Sequence, residues 1–135
     1  YWFAKGSRFL EVVSFNMQKQ WWNDAAFILH QATESLLNCN LLVLNGYKPK
    51  LHDIEILLQQ CSSRSDKFLQ IFPRGSAEER ETFDLLKKAY IDARYNKYYK
   101  ITKEQLEYLM EKVEKLQKIT KEIYEVRVKL LTVKK

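Results

Sequence analysis

Apolar residues recur at helical spacing along nearly the whole chain, and the spacing predicts a series of amphipathic helices. Over residues 2–20, Phe3, Leu10, Val13 and Met17 fall on one face, which predicts a helix with a single buried side and Gly6 as its weak point. Residues 23–45 read differently. Ala26, Phe27, Ile28, Leu29, Leu36, Leu37, Leu41, Leu42 and Leu44 cover nearly every face, and a helix apolar all round belongs at the centre of a bundle. Asn23 or Asp24 is placed to cap its start, while Gly46 followed by Pro49 ends it.

Residues 52–61 form a short amphipathic pattern with Ile54, Leu57 and Leu58 on one side; His52 and Asp53 stand at its start, where capping is the expected role. The stretch that follows is a loop by composition, with Phe68, Leu69, Ile71 and Phe72 expected to fold back onto the core. Ser76 and Glu79 have the spacing of a capping box, and Phe83, Leu86, Tyr90, Ala93 and Lys97 then recur every three or four residues. This predicts one helix running into residues 92–102. Thr102 and Gln105 repeat the box and launch a last helix with the stripe Leu106, Leu109, Val113, Leu116, Ile123 and Leu130. With no internal repeat, residues 1–135 are read as a single all-α domain, an up-and-down antiparallel bundle of about five helices.

Composition supports that class, since three Gly and two Pro are too few for a turn-rich all-β fold. The formal charge of +6 adds a direction: residues 1–60 are balanced, and the whole excess of basic residues lies in 61–135. An anionic partner for that half, or a simply solvated lysine face, both fit. Cys39 and Cys61 are too few for a disulfide scaffold and suggest a reducing compartment. No stretch is long and apolar enough to span a membrane and no signal-peptide pattern opens the chain, so a soluble, cytoplasmic protein is expected. The first residue is Tyr1 rather than Met, which suggests the C-terminal part of a longer protein.

Candidate chemistry is sparse. His30 and His52 are the only histidines, too few and too far apart for a zinc site, so neither metal nor cofactor is expected. No phosphate-binding glycine loop or nucleophile elbow is present. His30 and Glu34 are four apart on the central helix and are expected to form a buried polar pair. The stretch Asp92–Thr102 is richer. On a continuous helix Arg94 is flanked by Tyr90 and Tyr98, with Lys97 and Lys100 close by, a combination suited to gripping phosphate and stacking on a base. In the competing reading the tyrosines pack inward and Arg94 pairs with Asp92 or a carboxylate of another helix.

The segments "AFILHQATESL", "GYKPKLHD" and "DARY" together resemble the HEPN domain (higher eukaryotes and prokaryotes nucleotide-binding), over about residues 10–120. The resemblance implies a bundle of about five helices, often homodimeric. Some members are metal-independent RNases in which an Arg is followed, after four to six residues, by a His. Others lack that motif and bind nucleotides or RNA, often fused to or encoded beside a minimal nucleotidyltransferase. Arg94 matches the arginine of the family, but the positions for the histidine hold Tyr99, Lys100 and Ile101, and no His follows Arg94. A tyrosine with a pKa of about 10 is not poised to move a proton at neutral pH.

The resulting expectation is a non-catalytic module for dimerisation and for nucleotide or RNA binding, accessory to a nucleotidyltransferase domain. Arg94, Lys97 and Lys100 would hold phosphate, Tyr95 or Tyr99 would offer a stacking face, and His30, Glu34 and Asp92 would give polar support. Trp2, Trp21 and Trp22, at helix ends, exceed what a small bundle must bury and point to a homodimer. Two rival readings are a divergent RNase using Arg94 with Tyr99, and a structural dimeriser with Arg94 locked in an ion pair.

Overall fold

The most apolar helix takes the centre. The structure, a computed structural model, describes residues 1–133; the last two residues of the 1–135 span lie outside the described residues. Helix α2 (Trp22–Asn45) packs against α1 (Trp2–Gln18), α3 (Ile54–Ser62), α4 (Ala77–Lys88), the single turn α5 (Asp92–Tyr95) and α6 (Lys103–Val133). The fold is an all-α bundle, with no strand among the described residues. Some of the polar residues buried along α2 are tied down as burial requires, whereas Asn38 Oδ1 and Asn40 Oδ1 have no partner. Thr33 Oγ1 donates to the Leu29 carbonyl, while Asn40 Nδ2 donates to the Leu36 carbonyl and to Thr120 Oγ1 at 2.8 Å, joining α2 to α6.

Gly6 is a point of close approach rather than a weakness. A Cβ there would lie 2.8 Å from Leu36 Cγ, so glycine allows α1 to lie directly on α2. The two helices are joined by a tight turn in which Gln20 adopts a φ of 61°. Neither Asn23 nor Asp24 caps α2. Trp21 occupies the cap position without a side-chain bond, and Asn23 Nδ2 instead donates to the Tyr99 carbonyl at 3.2 Å. The other end is as expected, with Gly46 left-handed at φ 81° and its N–H bonded to the Leu42 carbonyl.

Residues 46–53 then return along α2 instead of turning away from it. The His52 carbonyl reaches His30 on α2, and Cys61 at the far end of α3 reaches the Leu37 carbonyl, so α3 sets off in the direction of α2. Asp53 caps it, accepting from the N–H groups of Glu55 and Ile56. In the following loop Phe68, Ile71 and Phe72 are buried, whereas Leu69 faces outward. Both capping boxes form: Ser76 and Glu79 bond reciprocally at the start of α4, and Thr102 and Gln105 do so at the start of α6.

Two expectations are corrected by tertiary packing. Helix α4 does not run into residues 92–102 but stops at Lys88, where the Ala89 N–H tightens onto the Leu86 carbonyl. Ala89, Tyr99 and Ile101 are buried, and a continuous helix would carry the chain away from the core before the last two could reach it. At the other end α6 outruns the bundle. Leu106, Leu109, Val113 and Leu116 of its stripe are buried, but Leu130 is half exposed. Cys39 and Cys61 are free and buried, and burial pushes the Cys61 thiol up to about 12, which leaves it unreactive. No helix of the described residues is long and apolar enough to cross a membrane.

Candidate functional site

The break after Lys88 swings Tyr90 onto α2 and builds a cluster around its ring. Arg94, in the turn α5, donates from both Nε and Nη2 to the Tyr90 carbonyl, at 2.9 and 2.6 Å. Its Cζ lies 4.4 Å from the Phe27 ring centre, 5.1 Å from that of Tyr90 and 4.9 Å from that of Tyr95. The guanidinium is therefore fixed at one edge and framed by three rings, a favourable setting for a cation. No carboxylate pairs with it among the described residues. Its outer edge, Nη1 and one hydrogen of Nη2, is free to donate.

The remaining residues of the stretch divide by burial. Tyr95 and Tyr98 are 75% and 77% exposed, and Lys97 Nζ sits 5.2 Å from the Tyr98 ring centre. Lys97 and Lys100 are exposed. Tyr99 is the exception, at 7% exposure. Its hydroxyl donates to the Leu85 carbonyl at 2.6 Å, and burial pushes its phenol above the ordinary tyrosine range. Tyr99 thus presents no stacking face and holds its proton; the exposed ring beside Arg94 is Tyr95, and Tyr98 is a second exposed ring in the same stretch.

His30 and Glu34 do not close the pair that their spacing suggests. His30 is fully buried, and burial lowers its pKa to about 4 against the His52 carbonyl, which favours the proton. The neutral ring donates from Nε2 to that carbonyl at 3.1 Å. Its Nδ1 faces Glu34 Oε2 at 3.9 Å, beyond hydrogen-bond reach, and neither atom has another partner. Glu34 is taken by the other histidine: Oε1 is 2.8 Å from His52 Nδ1.

His52 is the residue that sequence reasoning missed. Its ring stacks on Tyr90 with centres 4.4 Å apart and planes within 13°, and more than half of the side chain remains exposed. The contact joins positions in a loop and after a helix break, so no local period signals it; only "HD" as a cap was legible. His52 and Tyr90, with Asp53, Lys87, Lys88, Ile91 and Asp92, line a cleft of about 380 Å³. Asp92, half-buried, makes no side-chain hydrogen bond or close ion pair among the described residues, but its charge acts on Lys88 and Tyr99. No group of His, Cys, Asp and Glu suited to a metal ion occurs among the described residues.

A fixed, unpaired guanidinium with the exposed Tyr95 ring against it, in a stretch that also exposes Lys97 and Lys100, is equipped to bind an anion carrying a planar group. It has no group beside it that exchanges a proton near neutrality within the stretch itself. The family model of the HEPN domain matches residues 1–123. No curated protein matches the chain.

Proposed function

From the membership of this chain in the HEPN domain family, we propose that it is a non-catalytic module that dimerises and binds nucleotide or RNA phosphate. The observation that carries this reading is Arg94, which is held by the Tyr90 carbonyl and has no acidic partner. The Tyr90 carbonyl takes one edge of the guanidinium, and the outer edge is left for a ligand. Lys97 and Lys100 add diffuse attraction, and Tyr95 and Tyr98 supply faces on which bases stack. The resemblance to domains that accompany minimal nucleotidyltransferases supports an accessory role beside such a domain.

Dimerisation is supported by apolar surface the bundle leaves uncovered. Trp21 is half exposed beside Phe15, while Trp2 and Trp22 are partly buried. Tyr124, Val126, Leu130 and Leu131 are also exposed where α6 outruns the bundle. A stable interface buries about 1,000 Å² or more in total. Light scattering at high micromolar concentration is expected to give twice the mass of the chain, and a monomer there rejects the dimer.

RNA should be bound and left intact. Cleavage by attack of a 2′-hydroxyl needs a proton taken from that oxygen and one given to the departing 5′ oxygen. The stretch around Arg94 offers an always-charged guanidinium, lysines and phenols, and Tyr99 is sealed in the core. Incubation of the chain with labelled single-stranded RNA, without metal, is expected to yield no product. Cleavage abolished by Arg94→Ala would establish a nuclease instead.

A further inference from the structure

The apolar seam along α6 continues after α2 has stopped. Leu116, Ile119, Ile123, Val126 and Leu130 alternate at three and four residues, the spacing by which one helix keeps a continuous apolar face toward another. Leu116 is fully buried, and Ile119 and Ile123 pack on the core. Helix α2 ends at Asn45, and farther along α6 the next two members of the stripe, Val126 and Leu130, are 57% and 50% exposed. Together with Ile123 and with Val43 and Leu44 from the last turn of α2, they give the apolar lining of a groove of about 270 Å³, which Lys67 and Arg127 complete.

The charges of the groove are of one sign. Lys67 and Arg127 are exposed, neither is in an ion pair among the described residues, and no acid among those residues lines the groove. A second copy seated groove to groove would set these two cations against their own counterparts, between chains that each carry +6, and like charges brought together across an interface oppose association. We propose that the groove receives an acidic amphipathic helix of a partner protein. Its apolar stripe takes up the seam where α2 leaves it, and Asp or Glu beside the stripe meet Lys67 and Arg127. The dimer proposed above then uses Phe15, Trp21, Tyr124 and Leu131, none of which lines the groove. Nothing in this inference depends on Arg94.

The test uses three labelled synthetic helices of equal length, titrated with the full chain by fluorescence anisotropy. The first carries Leu at alternating three- and four-residue spacing with Glu on both flanks of the stripe. The second has Lys on the flanks, and the third keeps the composition of the first with the stripe scrambled. The first is expected to bind about tenfold more tightly than either of the others, because the second exchanges two attractive exposed pairs for repulsive ones and the third loses the seam. Val126→Asp should remove that advantage, and Lys67→Glu combined with Arg127→Glu should reverse the order of the Glu and Lys helices. Two outcomes with the parent alone overturn the inference and need no variant to fold. Equal binding of the first and third helices means that only diffuse charge is felt, and equal binding of the first and second removes the acidic character of the partner. Light scattering supplies a third: conversion of a dimer to a monomer by Val126→Asp would give the groove to a second copy instead, leaving the dimer itself intact as a reading.

Discussion

Acidification from about pH 6.5 to about pH 4 is expected to remove about 3 kcal/mol of folding stability through His30 alone. The side chain is fully buried on α2, and burial lowers its pKa from 6.5 to about 4. The folded ring stays neutral while the unfolded ring takes up a proton as the pH falls through the ordinary histidine range. Stability therefore drops between the two values and the loss stops below the lower one. Each pH unit of that gap is worth about 1.4 kcal/mol, so roughly 2 kcal/mol should be gone by pH 5. Denaturant unfolding of the parent and of His30→Gln, at about pH 8 and about pH 5, isolates the effect. Glutamine can still donate to the His52 carbonyl but does not titrate. The variant should lose less stability than the parent on acidification, and equal losses would mean that His30 is not the group responsible.

Arg94→Ala is expected to weaken binding of single-stranded RNA or of a nucleotide by about 1–3 kcal/mol, the range for charge-assisted hydrogen bonds to phosphate. The more discriminating change is Arg94→Lys. It keeps the charge but loses the planar fork that spans the Tyr90 carbonyl on one edge and a phosphate on the other. Its affinity should fall between those of the parent and of Arg94→Ala. Lys97→Ala should have a smaller effect that fades with added salt, since Lys97 is exposed and its contribution is screened. Titrations that do not distinguish Arg94→Ala from the parent would reduce the guanidinium to a clip on the backbone of the turn.

What the sequence showed and what it hid separate by range. Caps and stripes depend on residues three or four apart, and both capping boxes, the Asp53 cap and the Gly46 stop were legible for that reason. The stop of α4 at Lys88 was not, because no Gly or Pro marks it and the burial of Tyr99 and Ile101 imposes it from a distance. That break decided the tyrosines: an alternation drawn on a continuous helix placed Tyr98 beside Arg94 and left Tyr99 outside, whereas Tyr99 went in. The aromatic framing of Arg94 was anticipated through Tyr90, but Phe27 comes from another helix. Glu34 shows the same limit. Its four-residue spacing from His30 was correct as geometry, yet the carboxylate turned to His52, which a returning loop brings to it.

The bond between Arg94 and the Tyr90 carbonyl has a further consequence. In an uninterrupted α-helix that carbonyl would receive the main-chain N–H four residues on, which is the N–H of Arg94 itself. Here the Arg94 N–H binds the Ile91 carbonyl instead, and the side chain of the same residue fills the vacancy. An arginine projecting freely from a helix gives up about 2 kcal/mol of rotamer freedom when a ligand immobilises it. At this position folding has already met much of that cost, so the ligand finds a donor edge set in advance. The interruption of the helix is thus the source of the preorganisation, and lengthening the helix by one turn would return a flexible cation in its place.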